Sequence, residues 1–350
     1  MTTSNNKTAA TTLHKDDLIV IAGAGGFIAG ALTRYFHDQG FTRIRAIDRK
    51  PLPDWYQHVP GVESLCMDLS EKDNCIRAAE GAVEVYNLAA DMGGMGFIEH
   101  FRVECLRSIL VNTNLIEAAY RAGAERYFFS SSACAYNVLL QQDPNVRALK
   151  ESDAYPAMAE RGYGWEKLMS EMFCQEYWAE RGLKTAIARF HNVYGPHGTW
   201  DGGREKAPAA ICRKVIEAKD TGQHEIVIWG DGHQSRSFMY IDECVRGIDM
   251  ITHCEKLIAT PINLGSSELI SINALVTLAE EIGGIKLERH YDLKAPRGVA
   301  GRNSDNTFIK QMLDWEPTLP FRDGLAKTYA WIEQQYCDRK AGKRTVHDVA

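Results

Sequence analysis

The chain lacks any apolar run long enough to cross a bilayer: its most apolar stretch, Leu18 to Leu32, is too short and carries four glycines. A surplus of basic charge is also missing, because 40 Lys and Arg stand against 46 Asp and Glu and leave a formal charge of -6. That excludes the clustered cationic surface a nucleic acid requires. The nine cysteines are scattered and odd in number, and none stands in a Cys-x-x-Cys pair. They build neither a disulfide framework nor a zinc site, and the reducing cytoplasm is the simplest compartment for them. No cluster of His, Asp and Glu shows ligand spacing, so no metal is expected. Residues 1–16 are rich in Thr, Asn and Ala and have no apolar h-region. They read as a disordered leader and not as a signal peptide. No internal repeat or low-complexity block is present.

What remains is an alternation of strand and helix patterns. Strands are expected at Leu18–Ala22, Ile44–Asp48, Val62–Asp68, Val83–Ala90, Arg126–Ser132 and Thr185–Phe190. Helices fit between them, to about Asp38, at Lys72–Glu80, at Arg102–Ala122 and at Gly164–Glu180. Repeated alternation of this kind implies an α/β fold, a Rossmann-like doubly wound parallel sheet covered on both faces. After Tyr194-Gly195-Pro196 the loops lengthen. The expected division is a dinucleotide-binding domain over 17–195, a smaller C-terminal substrate-binding α/β domain over 196–340 with some elements returning to the first, and a tail at 341–350. In the second half, helices are expected at Pro208–Ala218, Ile241–His253, after Ser271 and at Phe321–Cys337, with strands at Glu225–Trp229 and Pro261–Leu264.

Gly23, Gly25 and Gly26 follow the first strand, and Phe27 and Ile28 open the helix after it. Glycine there lets the backbone turn tightly and approach a pyrophosphate held at the helix N-terminus. Asp48 ends the next strand, close to the ~20 residues at which a carboxylate meets a ribose 2′-hydroxyl. That favours NAD over NADP, while the neighbouring Arg49 pulls the other way. Asp68 and Leu69 either sit near the adenine or cap the helix that follows. Ala89, at the end of the fourth strand, is small enough for a cofactor to pass.

Tyr163 and Lys167 stand four apart and share one face if helical. A nearby ammonium is expected to lower the phenol pKa, so that the tyrosinate takes a proton from a sugar hydroxyl while the carbon gives hydride to NAD. Ser132, at the end of a strand, can add a hydroxyl to the same oxygen. The glycine turn, the serine run Ser130-Ser131-Ser132 and Tyr-x-x-x-Lys together resemble the extended short-chain dehydrogenase/reductase family of nucleotide-sugar enzymes, over about residues 17–338. Ala89–Ile98, Ser131–Cys134, Gly202–Ala210 and Gly301–Asn306 resemble, within it, the GDP-mannose 3,5-epimerase family.

The resemblance implies an isomerase. Oxidation at C4 of a hexose makes the C3 and C5 hydrogens acidic, a base and an acid on opposite faces invert those centres, and the hydride returns to C4. By resemblance Cys134 is the base and Lys206 the acid. Cysteine suits the first role because a nearby cation lowers its pKa, and partial desolvation suits Lys206 to the second. Gly93, Gly94, Ser132 and Ala133 are expected along the sugar, with Asn192 near its phosphate. Glu205 flanks Lys206. Gln234, Ser235, Arg236 and Ser237, with Arg302 and Lys214, are expected to meet the diphosphate, since guanidinium forks match phosphate oxygens. The implied partners are a nucleotide-sugar, GDP-mannose by this resemblance, and a second copy of the chain, paired through Arg102–Ala122 and Gly164–Glu180; no nucleic acid and no membrane are expected.

Two stretches depart from the pattern. Tyr136-Asn137-Val138 stands where Tyr-Pro-Glu is usual, and Ala159-Glu160-Arg161-Gly162 where Gln-Asp-Ala precedes the tyrosine. These leave open the hexose and whether C3, C5 or both are inverted. Two other readings stay open: another nucleotide-sugar epimerase or 4,6-dehydratase of the same fold, and a non-catalytic NAD-binding sensor or scaffold. The intact Tyr163 and Lys167 weigh against the last.

Overall fold

The computed structural model describes residues 13–295, 298–343 and 345. Most of the expected leader, and residues 344 and 346–350 of the expected tail, lie outside the described residues. The first half runs β1 (Ile19–Ala22), α1 (Phe27–Asp38), β2 (Ile44–Asp48), β3 (Glu63–Cys66), α2 (Lys72–Ala79), β4 (Glu84–Asn87), α3 (Met95–His100), α4 (Arg102–Arg121), β5 (Arg126–Ser132), α5 (Tyr163–Arg181) and β6 (Lys184–Phe190). The second runs β7 (Val193–Tyr194), α6 (Ala207–Thr221), β8 (Glu225–Trp229), β9 (Ser235–Ser237), β10 (Met239–Tyr240), α7 (Ile241–Thr252), β11 (Pro261–Leu264), β12 (Leu269–Ser271), α8 (Ile272–Gly283), β13 (Glu288–Asp292), β14 (Gly301–Arg302), α9 (Thr307–Leu313) and α10 (Phe321–Lys340).

Seven strands form one parallel sheet in the order β3-β2-β1-β4-β5-β6-β11. The doubly wound fold expected from the alternation is therefore what forms. The outer strand β11 comes from the second half of the chain and pairs with β6 from Pro261↔Ile187 to Leu264↔Phe190. β1, β4 and β5 are buried along their whole length, because helices cover both faces. The strand period of two sorts their side chains: Ile19, Ile21, Tyr86 and Phe128 face the core under α1 and α7, and Val20, Ala22, Val85 and Phe129 face the one under α2, α4 and α5. Each such side chain contributes roughly 1.5–3 kcal/mol on burial.

Local chemistry sets the helix ends. Pro208 sits in the first turn of α6, where its missing N–H costs no helical bond. Gly182, Gly222 and Gly284 end α5, α6 and α8 with positive φ. Ser271 caps α8 by accepting from the Ala274 amide at 3.1 Å. The last helix runs three residues further than the pattern predicts, to Lys340, where its side chain pairs with Asp220 at 2.7 Å. A three-stranded sheet, β12-β9-β14, was not foreseen because its strands hold only two or three residues. Its register places Arg236 directly beside Arg302. Among the described residues no helix is long and apolar enough to cross a membrane.

Candidate active site

A cavity of about 460 Å³ opens across the C-terminal ends of the parallel strands. This is where the strand order reverses, between β1 and β4, and where doubly wound sheets hold their ligands. Gly23, Gly26, Phe27, Ile28, Asp48, Asp68, Leu69, Ala89, Gly93, Ser132, Tyr163 and Lys206 line it. Gly23 has φ +86°, and a Cβ there would lie 2.9 Å from the Leu88 carbonyl carbon and oxygen, so no other residue fits the turn. Gly26 begins α1 without any side-chain cap, which leaves the first amides of the helix facing the cavity. Gly25 does not line it; a Cβ there would meet Trp55 at 2.8 Å and Asp48 at 3.0 Å, so it brings the β2 end close to the turn. Arg49 does line the cavity, but its guanidinium donates to Asp91 at 2.7 Å, and its charge is matched. Asp68 lines the cavity and does not cap α2; it accepts from the Ser70 amide at 2.9 Å, ahead of that helix, which with weaker contributions holds its carboxyl below the usual range against the opposing effect of burial. A bare helix N-terminus, an obligatory glycine and a ribose-side carboxylate are what a dinucleotide needs, and the residues present fit NAD.

Tyr163 begins α5 and is buried. Lys167 lies one turn on, behind the cavity wall, with Nζ 5.4 Å from the Tyr163 ring centre and 4.7 Å from that of Phe129. The shared face is as expected, but the predicted lowering of the phenol is not. Burial and the nearby Cys134 and Glu166 push the Tyr163 phenol well up, opposed by its hydrogen bond with Ser132. Burial is the largest cause, and Glu166, a group the sequence reading passed over, adds to it, with its Oε2 3.5 Å from Lys167 Nζ. Glu166 is itself buried, and desolvation raises its carboxyl.

Cys134 occupies the short 3-10 turn after β5, where Ser132 Oγ accepts from its amide at 3.2 Å. It is not on the cavity wall. It lies just behind, in an apolar cluster with Phe97, Ile98, Cys105 and Tyr163. Arg302 Nη1 donates to its sulfur at 3.3 Å. Burial first, then Glu160, pushes the thiol up, and Arg302 opposes them. Lys206 stands at the N-terminus of α6, its stem part-exposed and its ammonium desolvated, which lowers it; Cys134 pulls it up and Arg302 pushes it down.

Other expected residues serve different ends. Gly93 and Gly94 allow a close approach, but to Phe97 and to the Glu205 backbone: a Cβ on Gly94 would lie 2.7 Å from the Glu205 oxygen. Glu205 accepts from the Gly203 amide at 2.7 Å and from Arg213 at 3.3 Å. Asn192 has φ +29° and donates to the Ser237 carbonyl at 3.0 Å. Lys214 donates to the Val227 carbonyl at 2.7 Å, well away from the cavity wall. Ala133 is buried in the turn before Cys134. Arg302 is buried and Arg236 half-buried beside it; Arg236 holds the Val299 carbonyl at 2.6 Å and desolvation lowers it to about 10. Ser235 bonds the Pro144 carbonyl. Two buried polar atoms at and just before this strand, Ser237 Oγ and Gln234 Oε1, have no hydrogen-bond partner among the described residues, which suits a site for a polar ligand. The sequence reading missed Arg204, which stands over the Phe97 ring at 4.0 Å, and the face of α4 formed by Glu104, Arg107, Ser108 and Val111. The i, i+3, i+4, i+7 spacing of that face was the available signal. Among the described residues no group of His, Cys, Asp and Glu is placed to hold a metal.

The comparisons agree with this geometry. GDP-mannose 3,5-epimerase 1 of Oryza sativa subsp. japonica is 42% identical over 91% of this chain and 82% of its own length. GDP-mannose 3,5-epimerase of Arabidopsis thaliana is 42% identical over 92% and 84%. The fold is shared with a UDP-glucuronic acid 4-epimerase from Bacillus cereus, solved with UDP-glucuronic acid and NAD, at a TM-score of 0.77 and 24% identity, covering 90% of this chain and 99% of that one. The model of the NAD dependent epimerase/dehydratase family matches residues 19–265, and with the bare helix start above Gly26 and the Tyr163–Lys167 pair in place, this chain belongs to that family.

Proposed function

We propose that this protein is an NAD-dependent isomerase that inverts GDP-mannose at C3, C5 or both through a transient 4-keto sugar, giving GDP-L-galactose, GDP-L-gulose or both. One observation carries the reading: Cys134, just behind the wall of the cofactor cavity, lies within electrostatic reach of Tyr163 and Lys206 on that wall and of Arg302 beside it. Similarity to the curated relatives over nine-tenths of the chain supplies the substrate class.

Bound NAD supplies a reversible hydride acceptor. Residues 17–195 would hold it, through Gly23, Gly26, Phe27, Ile28, Asp48, Asp68, Leu69 and Ala89, and residues 196–340 would hold the sugar nucleotide. Tyr163 takes the proton of the C4 hydroxyl, with Ser132 bonded to the same phenol and Lys167 holding the tyrosinate. Cys134 removes the hydrogen next to the ketone and Lys206 protonates the opposite face. Lys206 suits that role, because desolvation lowers its pKa and, among the described residues, no carboxylate pairs with it. Gln234, Ser237, Arg236 and Arg302 meet the diphosphate side.

A homodimer belongs to the same proposal. Val103, Leu106 and Leu110 form an exposed apolar stripe on α4, and Trp165, Met169 and Met172 another on α5. These two helices pack side by side, so the stripes make one face that a second copy would cover. The cytoplasm is the proposed compartment. Incubation of the purified protein with GDP-mannose and NMR analysis of the product tests the activity; a new GDP-hexose is expected, and an unchanged spectrum, or loss of water from the sugar, would count against it.

A further inference from the structure

Glu160 lies in one of the two stretches that depart from the family pattern, and the fold brings it to Cys134. Its amide donates to the Cys134 carbonyl at 3.0 Å. Arg302 spans the two side chains, giving Nη1 to Cys134 Sγ at 3.3 Å and Nη2 to Glu160 Oε2 at 3.1 Å, while its Nε holds Gln141 at 2.6 Å. From that position the Glu160 carboxylate adds to burial in pushing the thiol up. The arrangement is tightly held: a Cβ on Gly164 would fall 2.1 Å from the Cys134 oxygen and 3.0 Å from Glu160 Cβ. The carboxylate further answers a pair of arginines, Arg302 and Arg236, that the strand register sets directly opposite each other.

We propose that Glu160 is a positioning residue for proton abstraction: its carboxylate, locked by Arg302 beside Cys134, holds the thiol proton between turnovers and thereby makes the sulfur a stronger base. This rests on the epimerase reading. The thiol proton leaves to solvent, with no change of oxidation state. When a keto sugar lies in the site, the thiolate takes the hydrogen beside the ketone as a proton, and the C–H electron pair passes into the enolate. Lys206 gives a proton to the opposite face, and the proton now on Cys134 then passes through solvent to the Lys206 amine, which restores both groups. The charged and titratable groups that face this pair are Arg302, Arg236, Lys206, Tyr163 and Cys105. The two arginines and Lys206 favour the anion.

The test is a titration of the Cys134 thiolate by ultraviolet difference absorbance, each protein against its own Cys134→Ala variant. This requires no access of reagent to a buried sulfur. Removing a carboxylate held beside the sulfur by a shared arginine lets the thiolate form more easily, so Glu160→Gln is expected to lower the midpoint by about 1 pH unit or more, tenfold in acidity, and Glu160→Asp to restore most of it. The rising limb of solvent-deuterium exchange into GDP-mannose moves down with it, and its plateau falls by less than about tenfold per tenfold in acidity, since a weaker base abstracts more slowly. A purely structural role would lower the plateau and leave the midpoint in place, and that result overturns the proposal. Should the Gln variant fail to fold, Glu160→Ala carries the same expectation. A wild type inert to GDP-mannose overturns the epimerase reading and the catalytic use of the pair, whereas exchange in the wild type with an unmoved midpoint overturns the Glu160 proposal alone.

Discussion

Gly164→Ala reverses the usual effect of adding a methyl group to a helix. An alanine for glycine in a helix is ordinarily worth up to ~1 kcal/mol. At the second residue of α5 the new Cβ would lie 2.1 Å from the carbonyl oxygen of Cys134 and 3.0 Å from Glu160 Cβ. Relief requires roughly 1 Å of movement between α5 and the Ser132–Cys134 turn, both of them buried, and such overpacking costs about 3 kcal/mol at the upper end of its usual range. The net expectation is a loss of about 2 kcal/mol. Because the displaced atoms belong to Cys134 and begin the helix of Tyr163, turnover should fall by ~100-fold as well. Urea unfolding measures the first and deuterium exchange into GDP-mannose the second. Gly96→Ala is the control, since nothing lies within 4 Å of a Cβ there. A Gly164→Ala protein as stable and as active as the wild type would refute the packing that fixes Cys134 against α5.

Tyr163→Phe removes the proton acceptor and should lower turnover by ~100-fold or more while leaving NAD affinity nearly unchanged, checked by steady-state kinetics and cofactor titration. Arg189 and Glu171 form a buried bidentate pair at 2.9 and 2.7 Å, so Glu171→Ala should cost about 3–5 kcal/mol in urea, and a Glu171→Leu/Arg189→Leu double variant should recover most of it. Burial works against the charge on His253, but Asp249 and Glu84 overcome it and raise its pKa to about 10. A raised histidine stabilises most below its unfolded value of about 6.5 and loses that contribution as pH climbs through its folded value. The stability gap between wild type and His253→Gln should therefore be widest near pH 6 and close towards pH 10. Leu106→Glu with Met169→Glu should yield a monomer by analytical ultracentrifugation if the α4–α5 face pairs two copies.

The parallel sheet was legible because its strands are buried on both faces and read as continuous apolar runs, such as Ile19–Ala22 and Arg126–Ser132. The glycine turn was legible for a backbone reason, the positive φ and crowding at Gly23. Long-range register was not. No local pattern places Arg236 beside Arg302, sends Pro261–Leu264 back to the first sheet or brings Glu160 to Cys134. The phenol of Tyr163 illustrates the same gap. Spacing puts Lys167 on its face, but the sign of the shift depends on burial and on where the carboxylate of Glu166 points, and both are set by tertiary packing. Gly94 was seen as a point of close approach, while its partner, the Arg204–Glu205 backbone, lies more than a hundred residues away.

Incubation with GDP-mannose in deuterium oxide tests the chemistry most directly, because the position of each deuterium reports which bond was broken. Deuterium is expected at C5, at C3 or at both, with the original hydrogen kept at C4, since that atom leaves and returns as hydride without meeting solvent. Deuterium at C4, or at no carbon while the protein binds both NAD and the sugar nucleotide, would contradict a transient ketone flanked by Cys134 and Lys206.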